Sequence, residues 1–295
     1  TKLVLTTSAA TAKYGQAFTT QPVVKVQDAG SNVVTASSAV VTASLSSGTV
    51  VGTGNATSSS GVATFSGLGI TGSPGSYTVT YSSGSLATAS QSITVVRADQ
   101  GALSLTSTSG TYGAALTLAT SGGSGTGANT YVVVNGTATG CLESGGVLTV
   151  TSAGSCTVTA TKALDTNYNA VSSSATTVTF AKANQSALSV TSVSGTYGAN
   201  LTLTTSGGST VGSVSYSVTG TGCYYSAGGP ILWKVAAGTC SVTATMAGNG
   251  NYEPVSSSAT TVTFAKANQS ALTVTSVSGT YGSALTLTAS GGTTA

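Results

Sequence analysis

The sequence predicts an all-β fold in which antiparallel β-sandwich modules follow one another in a linear array. Three observations predict it. The stretch KANQSALSVTSVSGTYG at residues 182–198 recurs at 266–282 with one change, and in a looser form at 97–113. Apolar and polar residues alternate over short runs, as in strands with one buried face. No run keeps the 3.6-residue apolar spacing of an amphipathic helix, so we expect essentially no helix.

The repeat sets the predicted domain organisation. Its glutamines Gln100, Gln185 and Gln269 lie 85 residues apart (185 − 100) and 84 residues apart (269 − 185). Units this similar at such a spacing are tandem copies of one folding unit. We therefore predict a distinct first module, two full repeats and the opening strands of an incomplete third repeat: 1–96, 97–181, 182–265 and 266–295.

The composition argues against several classes of function. Only 4% of the 295 residues are charged and the net charge is +3, so we expect no nucleic-acid partner. The chain has no His, no paired carboxylates and no nucleophile beside a base, so we expect no enzyme activity and no cofactor. Without clustered carboxylates we expect no metal site and no calcium dependence. No apolar run approaches the roughly 18 residues of a membrane helix, so we expect no membrane insertion in this segment.

The first module has the pattern of about seven regularly spaced strands, which suits an antiparallel sandwich. Asp, Gly and Asn within 28–32 predict a hairpin turn there. The Gly, Ser and Thr enrichment would also suit a disordered chain, but 40% hydrophobic residues in alternating runs favour a folded one. The predicted strands include 3–5, 22–28, 40–45, 61–65, 76–82 and 92–96.

The two full repeats follow one plan. Asn135-Gly136 predicts a tight hairpin, and Ala153-Gly154 predicts a second hairpin between strands 147–151 and 156–161. A further strand at 175–180 closes the first repeat. The strands that correspond between the two repeats are 131–134 with 215–218 and 147–151 with 231–235.

Residues 1–96 resemble the immunoglobulin-like modules of bacterial invasin and intimin. The resemblance lies in QPVVKVQD at 21–28, GVATFSGL at 61–68 and GSYTVTY at 75–81. It implies an immunoglobulin-like sandwich and says little about a ligand.

Residues 97–295 resemble the MBG-like, immunoglobulin-like repeats of very large bacterial surface and adhesin-like proteins. The recurring order is Thr-Tyr-Gly, Ala-Gly-Thr/Ser-Cys-Thr/Ser-Val-Thr-Ala-Thr, Asn-Tyr and Thr-Val-Thr-Phe. The resemblance implies an array of immunoglobulin-like sandwiches outside the cell, with no catalytic residues.

The cysteines form two pairs, one in each full repeat. Cys141 and Cys156 are 15 residues apart, and Cys223 and Cys240 are 17 apart. An even number at matching places predicts two disulfides within the repeats and an oxidising compartment, the alternative being free buried thiols.

The second repeat differs from the first by a two-residue insertion and an aromatic cluster. Trp233, the only tryptophan, stands where the first repeat has Thr or Val. We expect its ring to fill a gap between the sheets. An exposed Trp233 with a coplanar Tyr224 or Tyr225 would instead be a ligand contact for a sugar or a protein partner.

Two recurring features are expected to be structural. The charged joints at 97–99, 182–185 and 266–269 predict polar interfaces or hinges between modules. Tyr112, Tyr197 and Tyr281 each precede Gly, and we expect them to plug sandwich corners rather than to form a ladder of sugar-stacking rings.

These patterns predict a structural extracellular repeat protein, an adhesin stalk or surface filament component for attachment and extension. We expect it on a bacterial cell surface or in a secreted fibre. Its expected partners are neighbouring copies or further repeats of the same protein, and host or cell-surface glycans are further candidates. The alternatives are an array of carbohydrate-binding modules and a phage or sheath decoration protein.

Overall fold

The computed structural model describes residues 1–226 and 229–292. The chain divides into two compact units, Thr1–Phe180 and Ala181–Ala295. Every helix or strand element in the described ranges is a β-strand, which confirms the predicted all-β fold. Over those ranges, no helix has the length and apolarity needed to span a membrane.

Residues 1–96 contain ten strands. They are β1 (Lys2–Thr7), β2 (Ala12–Lys13), β3 (Val23–Gln27), β4 (Val40–Leu45), β5 (Thr49–Val51), β6 (Asn55–Thr57), β7 (Val62–Thr64), β8 (Gly69–Thr71), β9 (Gly75–Ser82) and β10 (Ala89–Val96). Three sheets result, with the orders β1-β3-β7, β2-β10-β9-β4-β6 and β5-β8. The strands beyond the expected seven have only two or three residues, too few for alternation to reveal.

The inner faces of these strands form one hydrophobic cluster. Val24 of β3, Val41 of β4 and Val79 of β9 are fully buried in it, as are Phe65 and Tyr81. Along β9 only alternate residues point inward, because successive side chains in a strand face opposite sides. Burying a large apolar side chain stabilises a fold by about 1.5–3 kcal/mol, so this cluster is the main source of stability here.

Residues 97–181 contain a second set of ten strands. They are β11 (Leu103–Leu105), β12 (Ser109–Thr111), β13 (Leu116–Thr117), β14 (Thr120–Gly122), β15 (Asn129–Asn135), β16 (Leu142–Ser144), β17 (Val147–Thr149), β18 (Gly154–Lys162), β19 (Val171–Ser172) and β20 (Thr176–Ala181). The sheets have the orders β12-β20-β18-β15, with β19 also paired to β18, then β13-β17-β16 and β11-β14.

Residues 182–265 repeat that arrangement strand for strand. They contain β21 (Leu188–Val190), β22 (Ser194–Thr196), β23 (Leu201–Thr202), β24 (Thr205–Gly207), β25 (Val214–Thr219), β26 (Cys223–Tyr225), β27 (Ile231–Lys234), β28 (Gly238–Met246), β29 (Val255–Ser256) and β30 (Thr260–Ala265). The sheets β22-β30-β28-β25, with β29 on β28, β23-β27-β26 and β21-β24 match those of residues 97–181. Each stretch encloses its own cluster, centred on Val158 and Phe180 in one and on Val242 and Phe264 in the other.

Both hairpins predicted for residues 97–181 are wrong. Strand β15, which ends at Asn135, pairs with β18 rather than with the next strand, and β17 pairs with β13 and β16. After Asn135 the chain crosses to the other sheet, and the Asn135 Oδ1 accepts a hydrogen bond from the Cys141 N–H. Pairing across the sandwich therefore overrides the local turn signal.

The Tyr-Gly pairs form a recurring tight turn. In each turn the residue after Gly donates its N–H to the carbonyl three residues earlier, and the Gly has a positive φ of 65° to 82°. This is a type II turn, which favours Gly at that position. Tyr112 and Tyr197 are half-buried there, whereas Tyr281 is fully exposed, so the expected plug is wrong for Tyr281. The four turns are 13–16, 111–114, 196–199 and 280–283.

The side chain of the recurring glutamine, at the start of each full repeat, forms hydrogen bonds with the loop that follows the longest strand of that repeat. The Gln185 side chain is 8% exposed. Its Nε2 donates to the carbonyls of Ala247 and Glu253, and its Oε1 accepts from the Ser209 N–H. Gln100 makes the corresponding bonds in residues 97–181. The glutamine thus stabilises its own repeat through hydrogen bonds within that repeat.

Residues 266–292 contain one strand pair, β31 (Leu272–Val274) with β32 (Ala289–Gly291). Leu272 is 69% exposed and Leu287 73% exposed, whereas the equivalent Leu188 and Leu203 are buried. This stretch carries the apolar residues of a repeat's opening strands with little to cover them among the described residues.

Candidate functional site

An exposed aromatic pair lies on the three-stranded sheet of residues 182–265. Tyr224 of β26 and Trp233 of β27 are direct cross-strand partners. Their rings are stacked, with centroids 5.9 Å apart and an angle of 15° between the planes. Trp233 is 36% exposed and Tyr224 49% exposed. The expected burial of Trp233 is therefore wrong, because its neighbours Leu232 and Lys234 occupy the inner face of the strand.

Tyr225 lies on the opposite face of the same sheet. It packs against the hydrophobic cluster, and its ring meets that of Tyr216 edge-on at 5.9 Å. Burial raises the pKa of Tyr216, whose hydroxyl donates to the Leu203 carbonyl. Both tyrosines line an open cleft of about 640 Å³ that also carries Thr and Ser hydroxyls. The structure thus brings Tyr224 and Trp233 together and separates Tyr225 from them.

The equivalent surface of residues 97–181 has no aromatic residue. Leu142 of β16 pairs with Thr149 of β17 in the register that Tyr224 and Trp233 occupy. Leu142 is 64% exposed, so the position faces solvent in both repeats. The aromatic pair is a substitution on a shared scaffold, and residues 97–181 provide a natural comparison for it.

The structure pairs the four cysteines as the sequence predicts. Cys141 bonds to Cys156 and Cys223 to Cys240, each with an S–S distance of 2.03 Å. Cys156 and Cys240 lie in β18 and β28, whereas Cys141 directly precedes β16 and Cys223 is the first residue of β26. Both bonds thus link the longest strand of a repeat to the start of an edge strand in its three-stranded sheet. A loop of this length closed by a disulfide gains about 3 kcal/mol of stability.

Lys234 is a buried charged residue to which the sequence interpretation assigned no role. Its side chain is 8% exposed, and its Nζ donates hydrogen bonds to the Thr221 carbonyl and, at 3.6 Å, to Cys223 Sγ. Strand alternation could have predicted its burial, because Lys234 lies two residues after Leu232 and so shares the inward face with it.

The joint at 97–99 forms a polar contact with residues of the stretch 1–96. Lys13 Nζ lies 2.7 Å from Asp99 Oδ2, and the Lys13 hydrogen bond is the main cause that lowers the pKa of Asp99. The ring of Tyr14 meets that of Tyr168 edge-on, with centroids 5.5 Å apart. The ion pair links Lys13 to the joint itself, and the ring contact links Tyr14 to a residue after the joint, both within the first unit.

The described residues contain no group of three or more His, Cys, Asp or Glu side chains placed to hold a metal ion. The carboxylate of Asp165 binds backbone N–H groups instead. Asp165 accepts hydrogen bonds from the N–H groups of Thr126, Asn167 and Tyr168. These bonds, that from Thr126 first, hold the pKa of Asp165 at about 2.

No protein-family model and no curated protein matches the chain. Solved structures similar to it include invasin, described as a bacterial integrin-binding protein, at 14% identity and a TM-score of 0.47 over 93% of this chain and 61% of that one. An intimin fragment in complex with the intimin-binding domain of its receptor has 17% identity and a TM-score of 0.26, over 66% of this chain and 68% of that one. The Escherichia coli adhesin FdeC has 17% identity and a TM-score of 0.26, over 90% and 96%.

Proposed function

We propose that the chain is a load-bearing part of an extracellular structural repeat protein, an adhesin stalk or surface filament component acting in attachment and extension. The observation that carries the proposal is the repetition of one plan. Residues 97–181 and 182–265 share strand order, and each has a separate hydrophobic cluster and its own disulfide. A module that folds on local contacts adds length without requiring its neighbours for a core.

The joint after residue 96 supports an array whose neighbouring modules are held in place. The Lys13–Asp99 ion pair holds it to the residues before it, and the Tyr14–Tyr168 ring contact spans it. A connection with directed contacts of this kind resists bending more than a free linker does. The partners that we propose are further repeats or neighbouring copies of the same protein.

Surface exposure on the source cells tests this proposal. We expect immunogold electron microscopy, with an antibody raised against the chain, to label the cell exterior or fibres that project from it. Protease added to intact cells should remove the label. Label confined to the cell interior and resistant to added protease would refute an extracellular stalk or filament.

A second candidate function is carbohydrate binding, and the exposed pair Tyr224 and Trp233 favours it. The faces of aromatic rings carry negative charge density, which attracts the polarised C–H groups on the less hydroxylated face of a pyranose ring. The near-parallel rings and the absence of any aromatic residue at Leu142 and Thr149 indicate a specialised surface on one repeat. The proposed ligand class is a polysaccharide or surface glycan.

Glycan-array screening followed by fluorescence titration tests the second candidate, since Trp233 is the only tryptophan. We expect a bound glycan to change the Trp233 emission, and Trp233→Ala to weaken binding about 30-fold, as for an aromatic residue worth about 2 kcal/mol at a binding site. Leu142→Ala, the matched control on the other repeat, should leave affinity unchanged. Glycan binding that persists in both Trp233→Ala and Tyr224→Ala would rule out this aromatic pair as the binding site.

A further inference from the structure

The disulfide Cys223–Cys240 has a charged neighbour that Cys141–Cys156 lacks. Lys234 Nζ lies 3.6 Å from Cys223 Sγ. The equivalent residue beside the other disulfide is Val150, an apolar side chain packed against the core. We propose that Cys223–Cys240 is a thiol-exchange site, the disulfide that a small dithiol opens first, with Cys223 released as a thiolate paired to Lys234.

Local glycines make room for this arrangement. A Cβ at Gly220 would lie 2.9 Å from Cys223 Sγ, so the absence of a side chain there leaves room for the sulfur. A Cβ at Gly238 would lie 3.1 Å from Lys234 Cε. The lysine is therefore seated in a space lined by backbone, beside the sulfur, rather than extended into solvent.

The two disulfides are otherwise closely matched. Cys156 is 0% exposed and Cys240 is 2% exposed, while Cys141 and Cys223 are both half-buried. Their sequence separations are 15 and 17 residues, so the entropy of loop closure differs little. A difference in their reactivity would therefore reflect the lysine rather than access or loop size.

The charge of Lys234 is compensated only after reduction. The ion pair found among the described residues is Lys13–Asp99, so in the disulfide state Lys234 has a carbonyl and a sulfur as partners but no anion. Burying an ammonium group without an anion is unfavourable. Reduction places a thiolate at Cys223 beside it, and a nearby cation stabilises a thiolate. The ion pair shifts the equilibrium toward the dithiol form.

The exchange balances with a dithiol as the reductant. A thiolate of the dithiol attacks one sulfur of the Cys223–Cys240 bond, the S–S bond breaks, and a mixed disulfide forms while the other cysteine leaves as a thiolate. The second thiol of the reductant loses its proton and attacks the reductant's sulfur atom in the mixed disulfide. The cysteine that was bonded to that sulfur leaves as a thiolate. The reductant closes to a cyclic disulfide and gives up two electrons, and both cysteines end in the thiol or thiolate form.

The wild-type chain contains its own control for the test. The full chain is incubated with dithiothreitol at pH 8, quenched with acid at intervals and alkylated, and mass spectrometry then measures each cysteine pair separately. We expect Cys223–Cys240 to be reduced about tenfold faster than Cys141–Cys156. In glutathione buffers its equilibrium constant for reduction should be about tenfold larger, a difference of about 30 mV. Equal rates and equal equilibrium constants, within twofold, would overturn the proposal.

Two substitutions assign the effect to the charge. Lys234→Val, which places the residue of the other repeat here, should remove the difference, and Lys234→Arg should keep most of it. Val150→Lys should make Cys141–Cys156 more readily reduced. If Lys234→Val fails to fold, the wild-type comparison and Lys234→Arg still decide. A Lys234→Val chain that folds and keeps the tenfold difference would refute the role of the lysine.

Discussion

Substitution of Gly195 by alanine tests how the sandwich closes around Phe264. Gly195 of β22 and Phe264 of β30 are partners in a parallel strand pair. A Cβ built at Gly195 would lie 2.9 Å from Phe264 Cε1, closer than two carbon atoms can approach without a shift. The same contact recurs at 2.8 Å between Gly110 and Phe180, so the Gly of the Ser-Gly-Thr-Tyr-Gly motif makes room for the core ring.

The expected magnitude follows from two opposing effects. Placing an extra methyl group in a filled core lowers the free energy of unfolding by about 1–3 kcal/mol. Replacing Gly by Ala at a compatible backbone angle stabilises by about 0.4–1 kcal/mol, because the unfolded chain loses freedom. Gly195→Ala should therefore lower the free energy of unfolding of the unit Ala181–Ala295 by about 1–2 kcal/mol. In a Phe264→Leu background the same change should cost about 1 kcal/mol less, because the clashing ring atoms are gone.

Guanidinium denaturation followed by Trp233 fluorescence measures this effect, because the only tryptophan lies in the same unit. Gly250→Ala is the control, since a Cβ at Gly250 would meet nothing within 4 Å. It should change the free energy of unfolding by less than about 0.5 kcal/mol. A Gly195→Ala chain as stable as wild type, or equally destabilised with and without Phe264→Leu, would refute the steric explanation.

Three further changes have defined outcomes. Tyr81→Phe should raise the free energy of unfolding by about 1 kcal/mol, because the buried Tyr81 hydroxyl has no hydrogen-bond partner among the described residues and burial raises its pKa; a loss of stability in denaturant melts would contradict this. Gln185→Ala should lower the free energy of unfolding by about 2–4 kcal/mol, since buried donors and acceptors would lose their partners. A decrease below about 1 kcal/mol in denaturant melts would show that these hydrogen bonds are not needed for stability. The pKa of Asp165 is held at about 2, below the ordinary 3.8, so the stability it gives is complete above about pH 4 and is lost as the pH falls through 2. Thermal melts from pH 5 to 2 should show a smaller acid-induced loss for Asp165→Asn than for wild type, and identical pH profiles would refute that assignment.

Much of the fold could be predicted because it depends on local alternation and on repetition. The strands Val40–Leu45 and Ile231–Lys234 lie where apolar runs of the sequence predict strands, and equivalent cysteines in two repeats predict equivalent disulfides. The Asn135-Gly136 turn could not be placed correctly, because its strand pairs with β18 about twenty residues further on. Long-range pairing of this kind leaves no local signal.

The face of strand β27 shows why the candidate site was harder to predict. Either Ile231 and Trp233 or Leu232 and Lys234 had to point inward, and hydrophobicity favours the first choice. The structure has the second, because Leu232 occupies the core position that Leu148 fills in the other repeat. A buried lysine beside a disulfide and an exposed tryptophan are thus two consequences of one register.

Stretching single molecules of the full chain shows directly whether successive modules each fold on their own core and carry load. We expect three separate unfolding events, for residues 1–96, 97–181 and 182–265. The gain in chain length at each of the last two events should increase by about 5–6 nm once the disulfides are reduced, because 15 and 17 residues are then freed at about 3.6 Å each. A single event that releases residues 1–180 together, or extension without resolved events, would contradict it.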